Sequence, residues 1–387
     1  MKILMTGLLP FNPKINNGGV VSVIRNLLES FSGMEGLEVC HVSFNKDVDR
    51  PKKLLPASNI TLRFIPFKSK FDLWDYWANR KTLEAIIAEE KPDLIHIQEI
   101  TPQVLRFIHL NREKIVVTQH GIMSEELKHL DRTQARAKGL FKALIEKFIF
   151  PLFPNVIFIS AYNQKLFPVQ PDHSDIILNP VSRLFFAEES SLGDPRSLAI
   201  VGAFSRIKNI ELALSVMARL KKEGLICRLH LAGGFKTNHY ENFIINTVNN
   251  LGLNDQVIFH GWCSKDKVRS LLGQCSIFLL PSRQETLPVA IGEAMATGRV
   301  VVAADVGAVS EMITNGESGF LFPNNDEEAL LALLKFLLTD SVEMKRVARN
   351  ARQTAEKKFH PDIIAAKTAR FYQQVHHHAQ GIIKVPV

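Results

Sequence analysis

Cysteine is sparse in this chain: four residues in 387 (Cys40, Cys227, Cys263, Cys275), none in C-x-x-C spacing. That excludes a disulfide framework, argues against a thiolate zinc site and fits a reducing cytoplasm. Long apolar runs are missing too. The most hydrophobic stretch, Phe148 to Ile159, is interrupted by Pro151, Pro154 and Asn155, well short of the roughly 20 apolar residues a spanning helix needs. The opening segment, Met1 to Pro10, carries a short apolar run, one lysine and no clear cleavage site. It is expected to form a first buried strand rather than a leader. No Walker loop, zinc-ligand spacing or nucleophile elbow occurs. The basic residues form no aromatic-interleaved sheet motif, so nucleic acid is not an expected partner.

What is present is a globular composition, 46% hydrophobic and 22% charged, with length enough for two domains. Lys plus Arg outnumber Asp plus Glu by 47 to 39, a net charge of +8, which favours anionic partners such as phosphorylated metabolites or an acidic membrane surface. Apolar runs of four to eight residues alternate with helical-period segments. Strands are expected at Lys2–Leu9, Leu37–Ser43, Ile60–Ile65, Leu94–Ile97 and Ile115–Gln119, and helices at Gly19–Phe31, Trp74–Glu90, Thr101–Asn111 and Thr133–Phe150. A polar segment at 187–197 interrupts the pattern, which restarts with strands such as Leu198–Val201, Arg228–Ala232, Ser276–Leu280 and Val300–Ala304. The alternation implies an α/β protein of two doubly wound, Rossmann-like domains facing a cleft, with ligands at the carboxyl ends of the strands. The expected division is 1–190, 191–360, and a helix and tail at 361–387 packing back on the first domain.

The sharpest motif runs from Pro281 through Glu285, Thr286, Leu287, Pro288, Val289 and Glu293 to Gly298. It follows a buried strand and opens a helix, with Glu293 about two turns in. Backbone N–H groups near Leu287 and Val289 and the helix dipole suit a phosphate. Carboxylates at this spacing suit hydroxyl-rich groups, although a capped helix with two solvated glutamates has the same pattern.

Glu-x7-Glu followed by Ala294-Met-Ala-Thr-Gly298 resembles the signature of retaining glycosyltransferases of family 4, which have the GT-B fold. The likeness continues in Val201-Gly202-Ala203…Arg206-Ile-Lys208-Asn209, Gly233-Gly234, His260-Gly261, Val301…Asp305-Val-Gly307 and Asn315-Gly316…Gly319-Phe-Leu-Phe-Pro323, in the family's order. The resemblance implies that Glu293 holds the nucleotide ribose, Glu285 contacts the donor sugar and Lys208 neutralises the diphosphate. Arg206 assists it, and Leu287, Pro288 and Val289 line the phosphate site. The family's arginine after the strand glycine is replaced by Ala203. In the amino half, Gly18 and Gly19, after Asn16 and Asn17, match a glycine-rich loop near the donor phosphates, and Thr118-Gln-His120-Gly121 matches the active-site histidine. His96 in Leu94-Ile-His96-Ile-Gln98 is a weaker counterpart.

The resemblance implies transfer of a sugar from a nucleotide-sugar to an acceptor hydroxyl with retention, in polysaccharide, lipopolysaccharide or glycolipid synthesis. The donor is expected to be a UDP-sugar ahead of a GDP-sugar, the acceptor a sugar or a lipid-linked sugar, and no metal or other cofactor is required. Two other readings are a non-catalytic nucleotide-sugar-binding subunit, towards which Ala203 points, and a GT-B nucleotide-sugar epimerase. Asp47-Val-Asp49 has the letters of a metal motif but sits in a polar loop and is taken as solvated. His376–His378 is assigned no function. Finally, residues 128–147 hold Lys128, Arg132, Arg136, Lys138, Lys142 and Lys147 against only Asp131 and Glu146, interleaved with Leu140, Phe141, Leu144, Ile145 and Phe148. A second cluster, Lys68 to Trp77, joins bases to aromatics. These suit a cytoplasmic protein peripheral on an anionic membrane face, unless the apolar positions simply face the core.

Overall fold

The computed structural model describes the chain except residues 13–17, 68–78, 99–103, 105, 106, 123, 124, 126, 128–132, 168–170, 188–191 and 382–387, with only the backbone of 133–138. It divides into an amino-terminal unit, Met1–Pro180 with Pro361–Val387, and a carboxyl-terminal unit, Val181–His360. The division therefore falls ahead of the polar segment rather than at residue 190.

The amino-terminal sheet is built from β1 (Lys2–Thr6), β2 (Glu38–Asn45), β3 (Lys52–Ala57), β4 (Ile60–Pro66), β5 (Leu94–Ile97), β6 (Ile115–Gln119), β7 (Asn155–Phe158) and β8 (His173–Ile176). Its order is β3-β4-β2-β1-β5-β6-β7-β8, parallel except for β3 against β4. In the middle of the sheet, Ile3 to Met5 and Ile115 to Val117 are wholly buried. Strands covered on both faces read as unbroken apolar runs, and helices supply the covers. One of these, Gly19–Phe31, buries Val23, Ile24, Leu27 and Phe31. Another is the last described helix, Pro361–Ala379, which places Tyr372 against Phe31 with ring centroids 6.2 Å apart.

The carboxyl-terminal sheet comprises β9 (Asp194–Val201), β10 (Arg228–Ala232), β11 (Val257–Gly261), β12 (Cys275–Leu280), β13 (Val300–Ala304) and β14 (Phe320–Phe322). All are parallel in the order β11-β10-β9-β12-β13-β14. β9 begins at Asp194, inside the segment expected to be a linker, because Asp194 pairs with Cys275 and Ser197 with Arg228. The helix expected at Thr133–Phe150 is present as Thr133–Ile149, and the carboxyl-terminal unit includes a helix at Glu327–Thr339. The latter is capped by Asp326 accepting from Ala329 N–H at 2.9 Å. Five of the eleven residues expected to form a helix at Thr101–Asn111 lie outside the described residues, and 107–110 form turns rather than a helix; the start of the helix expected at Trp74 also lies outside them.

At the carboxyl end of this sheet, two strand ends approach with no room for side chains. A Cβ on Gly233 would lie 1.7 Å from the carbonyl oxygen of Gly202, and Gly233 itself has φ +154°. Only glycine tolerates both conditions. The contact keeps the mouth of β9 and β10 open as bare backbone.

Candidate functional site

Two chain segments meet at the carboxyl edge of β9 and β12. After β9 the chain makes a 3-10 turn at Arg206–Lys208, then passes through Asn209 in the left-handed region (φ +51°) into helix Ile210–Lys222. After β12 the loop 281–288 leads into helix Val289–Ala296. Arg283 binds turn and loop together. Its backbone N–H donates to Ile207 O at 2.7 Å, and its guanidinium donates to Arg206 O at 2.6 Å and to Glu211 at 3.1 Å. Glu211 in turn accepts from the Tyr240 hydroxyl at 2.7 Å.

This brace brings Lys208 and Glu285, 77 positions apart in sequence, to an Nζ–Oε1 distance of 2.5 Å. The two side chains are 20% and 11% exposed, so the pair is only partly hydrated and each charge is accessible from one side. Arg206 stands two residues before Lys208, in the same turn. Its guanidinium lies over the Phe243 ring, 5.7 Å from the centroid, a cation–π arrangement.

Glu293 is buried in helix Val289–Ala296, and among the described residues no hydrogen bond or ion pair reaches its carboxylate. Burial pushes its pKa up to about 7, with distant Lys265 pulling it down. The helix is held rigidly. A Cβ on Gly292 would meet Val181 at 2.6 Å. At the far end Arg299, completely buried, donates to Thr297 O at 2.9 Å and to Cys275 O at 2.8 Å, a cation where the helix dipole favours one. An acid held unpaired in such a support is an unsatisfied acceptor, suited to a hydroxyl-bearing ligand. Leu287 is buried next to this helix start, and Pro288 occupies its N-cap without a side-chain cap.

In the amino-terminal unit, Gly18 (φ +140°) and Gly19 open helix Gly19–Phe31; Asn16 and Asn17 lie outside the described residues. His120 follows β6 and is buried. It belongs to a polar chain that sequence reasoning did not find. His120 Nε2 donates to Gln98 Oε1 at 2.9 Å. The Gln98 amide nitrogen lies 3.2 and 3.4 Å from the two His96 ring nitrogens, and His96 Nδ1 accepts from the Tyr372 hydroxyl at 2.5 Å. His96 Nε2 then donates to Thr118 Oγ1 at 2.7 Å. His96, Gln98, Thr118, His120 and Asn179 line one small cavity. Gln98 thus fixes the His120 tautomer; its only sequence signal is its place at the end of a strand, two residues after His96.

Burial pushes His120 down to about 4, opposed by hydrogen bonding from Asn179. It also pushes His41 down to about 4 and His96 to about 3. The unfolded chain takes up these protons near pH 6.5, and the folded chain refuses them until about pH 4. Stability is therefore lost as pH falls through that window, on the order of 3 kcal/mol for one such histidine. Urea unfolding at about pH 7.5 and about pH 5, on either side of the ordinary histidine value, checks this. Equal midpoints would show that these imidazoles titrate normally.

Of the remaining motifs, Asp47 accepts from the Phe11 N–H at 3.0 Å, a loop-bracing role. His378 packs its ring against His173 with centroids 4.2 Å apart. The cluster from Lys68 to Trp77 falls outside the described residues. Among the described residues no helix is long and apolar enough to cross a membrane.

Two Rossmann-like α/β units with parallel sheets define the GT-B class. Sucrose-phosphate synthase from Thermosynechococcus elongatus superimposes with a TM-score of 0.83 over 97% of this chain and 99% of that one, at 20% identity. HepE of Anabaena, solved with UDP and glucose, gives 0.73 over 96% and 99%, at 17% identity. The family model Glycosyltransferase Family 4 matches residues 17–182, and Glycosyl transferases group 1 matches residues 182–354. The chain belongs to this glycosyltransferase family. WcaL of Salmonella typhimurium, a putative colanic acid biosynthesis glycosyltransferase, is 28% identical over 190 residues, 47% of this chain and 46% of WcaL. The match therefore spans about half the length of that relative. An uncharacterized glycosyltransferase of Methanocaldococcus jannaschii is 25% identical over 363 residues, 92% of this chain and 94% of its own.

Proposed function

We propose that this protein is a retaining glycosyltransferase that moves a sugar from a nucleotide-sugar, a UDP-sugar ahead of a GDP-sugar, to the hydroxyl of a sugar or lipid-linked acceptor. The observation that carries this reading is the Lys208–Glu285 ion pair at the carboxyl edge of the sheet, in the same unit as the unpaired, buried Glu293. The carboxyl-terminal unit takes the donor and the amino-terminal unit the acceptor. HepE, solved with UDP and with UDP-glucose, supports a uridine nucleotide, and WcaL supports polysaccharide synthesis.

In this mechanism the acceptor hydroxyl bonds to the anomeric carbon as the bond from that carbon to the diphosphate oxygen breaks. Both events occur on one face, which gives retention. The acceptor proton passes to the departing phosphate oxygen. Charge develops on the diphosphate, and the Lys208 ammonium is placed to offset it, together with the start of helix Val289–Ala296. Glu285 accepts hydrogen bonds from the donor sugar and so positions it. Glu293 accepts from the ribose diol. His120, neutral at physiological pH because of its burial, offers hydrogen bonding rather than charge to the transferred sugar. A cationic side chain at the diphosphate makes a divalent metal unnecessary in this reading.

Nucleoside diphosphate release from UDP- and GDP-sugars, with and without sugar acceptors, tests the proposal. Release that requires an acceptor, with the donor's anomeric configuration kept in the product, is the expected result. It should persist at an unchanged rate in excess chelator. Loss with chelator and rescue by manganese would overturn the metal-free reading. Tight donor binding without turnover would make the chain a binding subunit, and acceptor-independent conversion of the donor would make it an epimerase.

A further inference from the structure

Helix Thr133–Ile149 carries an apolar face that its own unit does not cover. Leu140 is 57% exposed, Phe141 39%, Leu144 44% and Phe148 62%. At 100° per residue, Leu140, Leu144 and Phe148 step slowly around the helix and Phe141 falls beside them, so the four make one stripe. The helix already has a different face in the core. Ile145 and Glu146 are buried, and Ile149 packs against the core cluster. The need for one buried face therefore does not explain the stripe. Four large apolar side chains set side by side in water mark an interaction surface.

The charges around the stripe select the partner. Glu146 is the only acid in Thr133–Ile149. It is turned inward, accepting from Gln119 Nε2 at 2.9 Å, and presents no negative charge outside. Lys147 is exposed and lies over the Phe148 ring, 5.7 Å from its centroid. Lys142, on the same helix, is half-buried. The outward charge of the described face is thus cationic only, at the border of leucine and phenylalanine. The edge strand β3 also sets Lys53 beside exposed Leu54 and Leu55, but it offers two apolar side chains where this helix aligns four.

We propose that this helix docks flat on an anionic lipid surface, with Leu140, Phe141, Leu144 and Phe148 inserted at the level of the headgroups and Lys147 among the lipid phosphates. Binding requires both terms. The apolar stripe gives adhesion and the lysines give selectivity for negative lipid, so docking weakens as salt screens the charge. The orientation places the amino-terminal unit, the acceptor side of the proposed reaction, against the lipid. The docking itself does not depend on that reaction.

The test is co-sedimentation of the full chain with vesicles of phosphatidylcholine mixed with an equal part of phosphatidylglycerol, at low and high salt. Capture at low salt and release at high salt is expected, with no capture by phosphatidylcholine alone. The double variant Leu144→Ser/Phe148→Ser changes only exposed positions and should keep its fold by circular dichroism while its lipid partitioning falls tenfold or more. Lys147→Glu should lower partitioning to anionic vesicles and leave its thermal midpoint unchanged. Absence of wild-type capture at low salt overturns the proposal, as does equal capture of the double variant. So does a wild-type dimer that the double variant dissolves, which would make the stripe a contact between two copies of the chain.

Discussion

Lys208→Ala is expected to lower sugar transfer by roughly a hundredfold or more, the scale on which loss of one group stabilising developing charge is felt. The structure shows why the loss is specific. Lys208 Nζ is held 2.5 Å from Glu285 by a turn and a loop that Arg283 locks together. The ammonium is therefore already placed before any donor arrives, with one side open. Its removal also leaves the Glu285 carboxylate unpaired in a partly buried position, where it repels a diphosphate. Arg206→Ala is the informative comparison. The guanidinium of Arg206 rests on Phe243, and its loss should cost only a few-fold. Glu285→Ala should fall between, about ten- to a hundredfold in turnover, as for one charge-assisted hydrogen bond. Steady-state kinetics of the three variants read the order directly. Wild-type rates for Lys208→Ala would place the phosphates elsewhere.

Glu293→Gln should move stability and donor binding in opposite directions. The Glu293 pKa is raised from 4.5 to about 7 by burial. Between those values the unfolded chain gives up the proton and the folded chain keeps it, so stability falls as pH rises through the window. Above about pH 7 the fold carries the full penalty of the charge, on the order of 3 kcal/mol. Glutamine has no charge to bury, and the variant should be more stable than the wild type at about pH 8 and nearly equal at about pH 4.5, where the wild-type carboxyl is protonated in the fold. Its affinity for UDP should drop about ten- to a hundredfold through loss of a charged acceptor. Urea unfolding at both pH values and calorimetric titration with UDP measure the two effects. A variant that is less stable at pH 8 would show the carboxylate to be a structural partner, not a ligand group.

The legibility of the sequence tracks the physics of each element. β12 and β13 are buried at every position, so their apolar runs stand out. β3 escapes notice because it is an antiparallel edge strand whose Lys53, Leu54, Leu55 and Pro56 are all exposed; nothing in such a segment alternates. β14 and helix Val309–Met312 are too short for a period. At the site, Glu285, Glu293 and Lys208 stand in an ordered motif, and their positions follow from it. The parts that hold them do not. Arg283 sits two residues before Glu285, yet its role depends on carbonyls and a glutamate contributed by another segment. Gln98 acts only through two histidines on neighbouring strands. Interactions across long sequence separation leave no local pattern. The basic helix shows the opposite case, where the pattern was visible but the direction of its apolar positions required coordinates.

The amino-terminal unit is discontinuous, and this has a consequence for the order of events at the ribosome. Its core and its buried polar chain include Tyr372, which donates to His96 from helix Pro361–Ala379. That helix is synthesised after the whole of the carboxyl-terminal unit. The carboxyl-terminal unit, Val181–His360, has all its residues available earlier, while the first unit still lacks one cover of its sheet. Nascent chains thus complete the second unit first, against the usual sequence of domain folding during translation. Until the last helix arrives, the amino-terminal sheet exposes the surface that Ile364, Phe371, Tyr372 and Val375 will cover, a natural binding target for chaperones that recognise apolar strands.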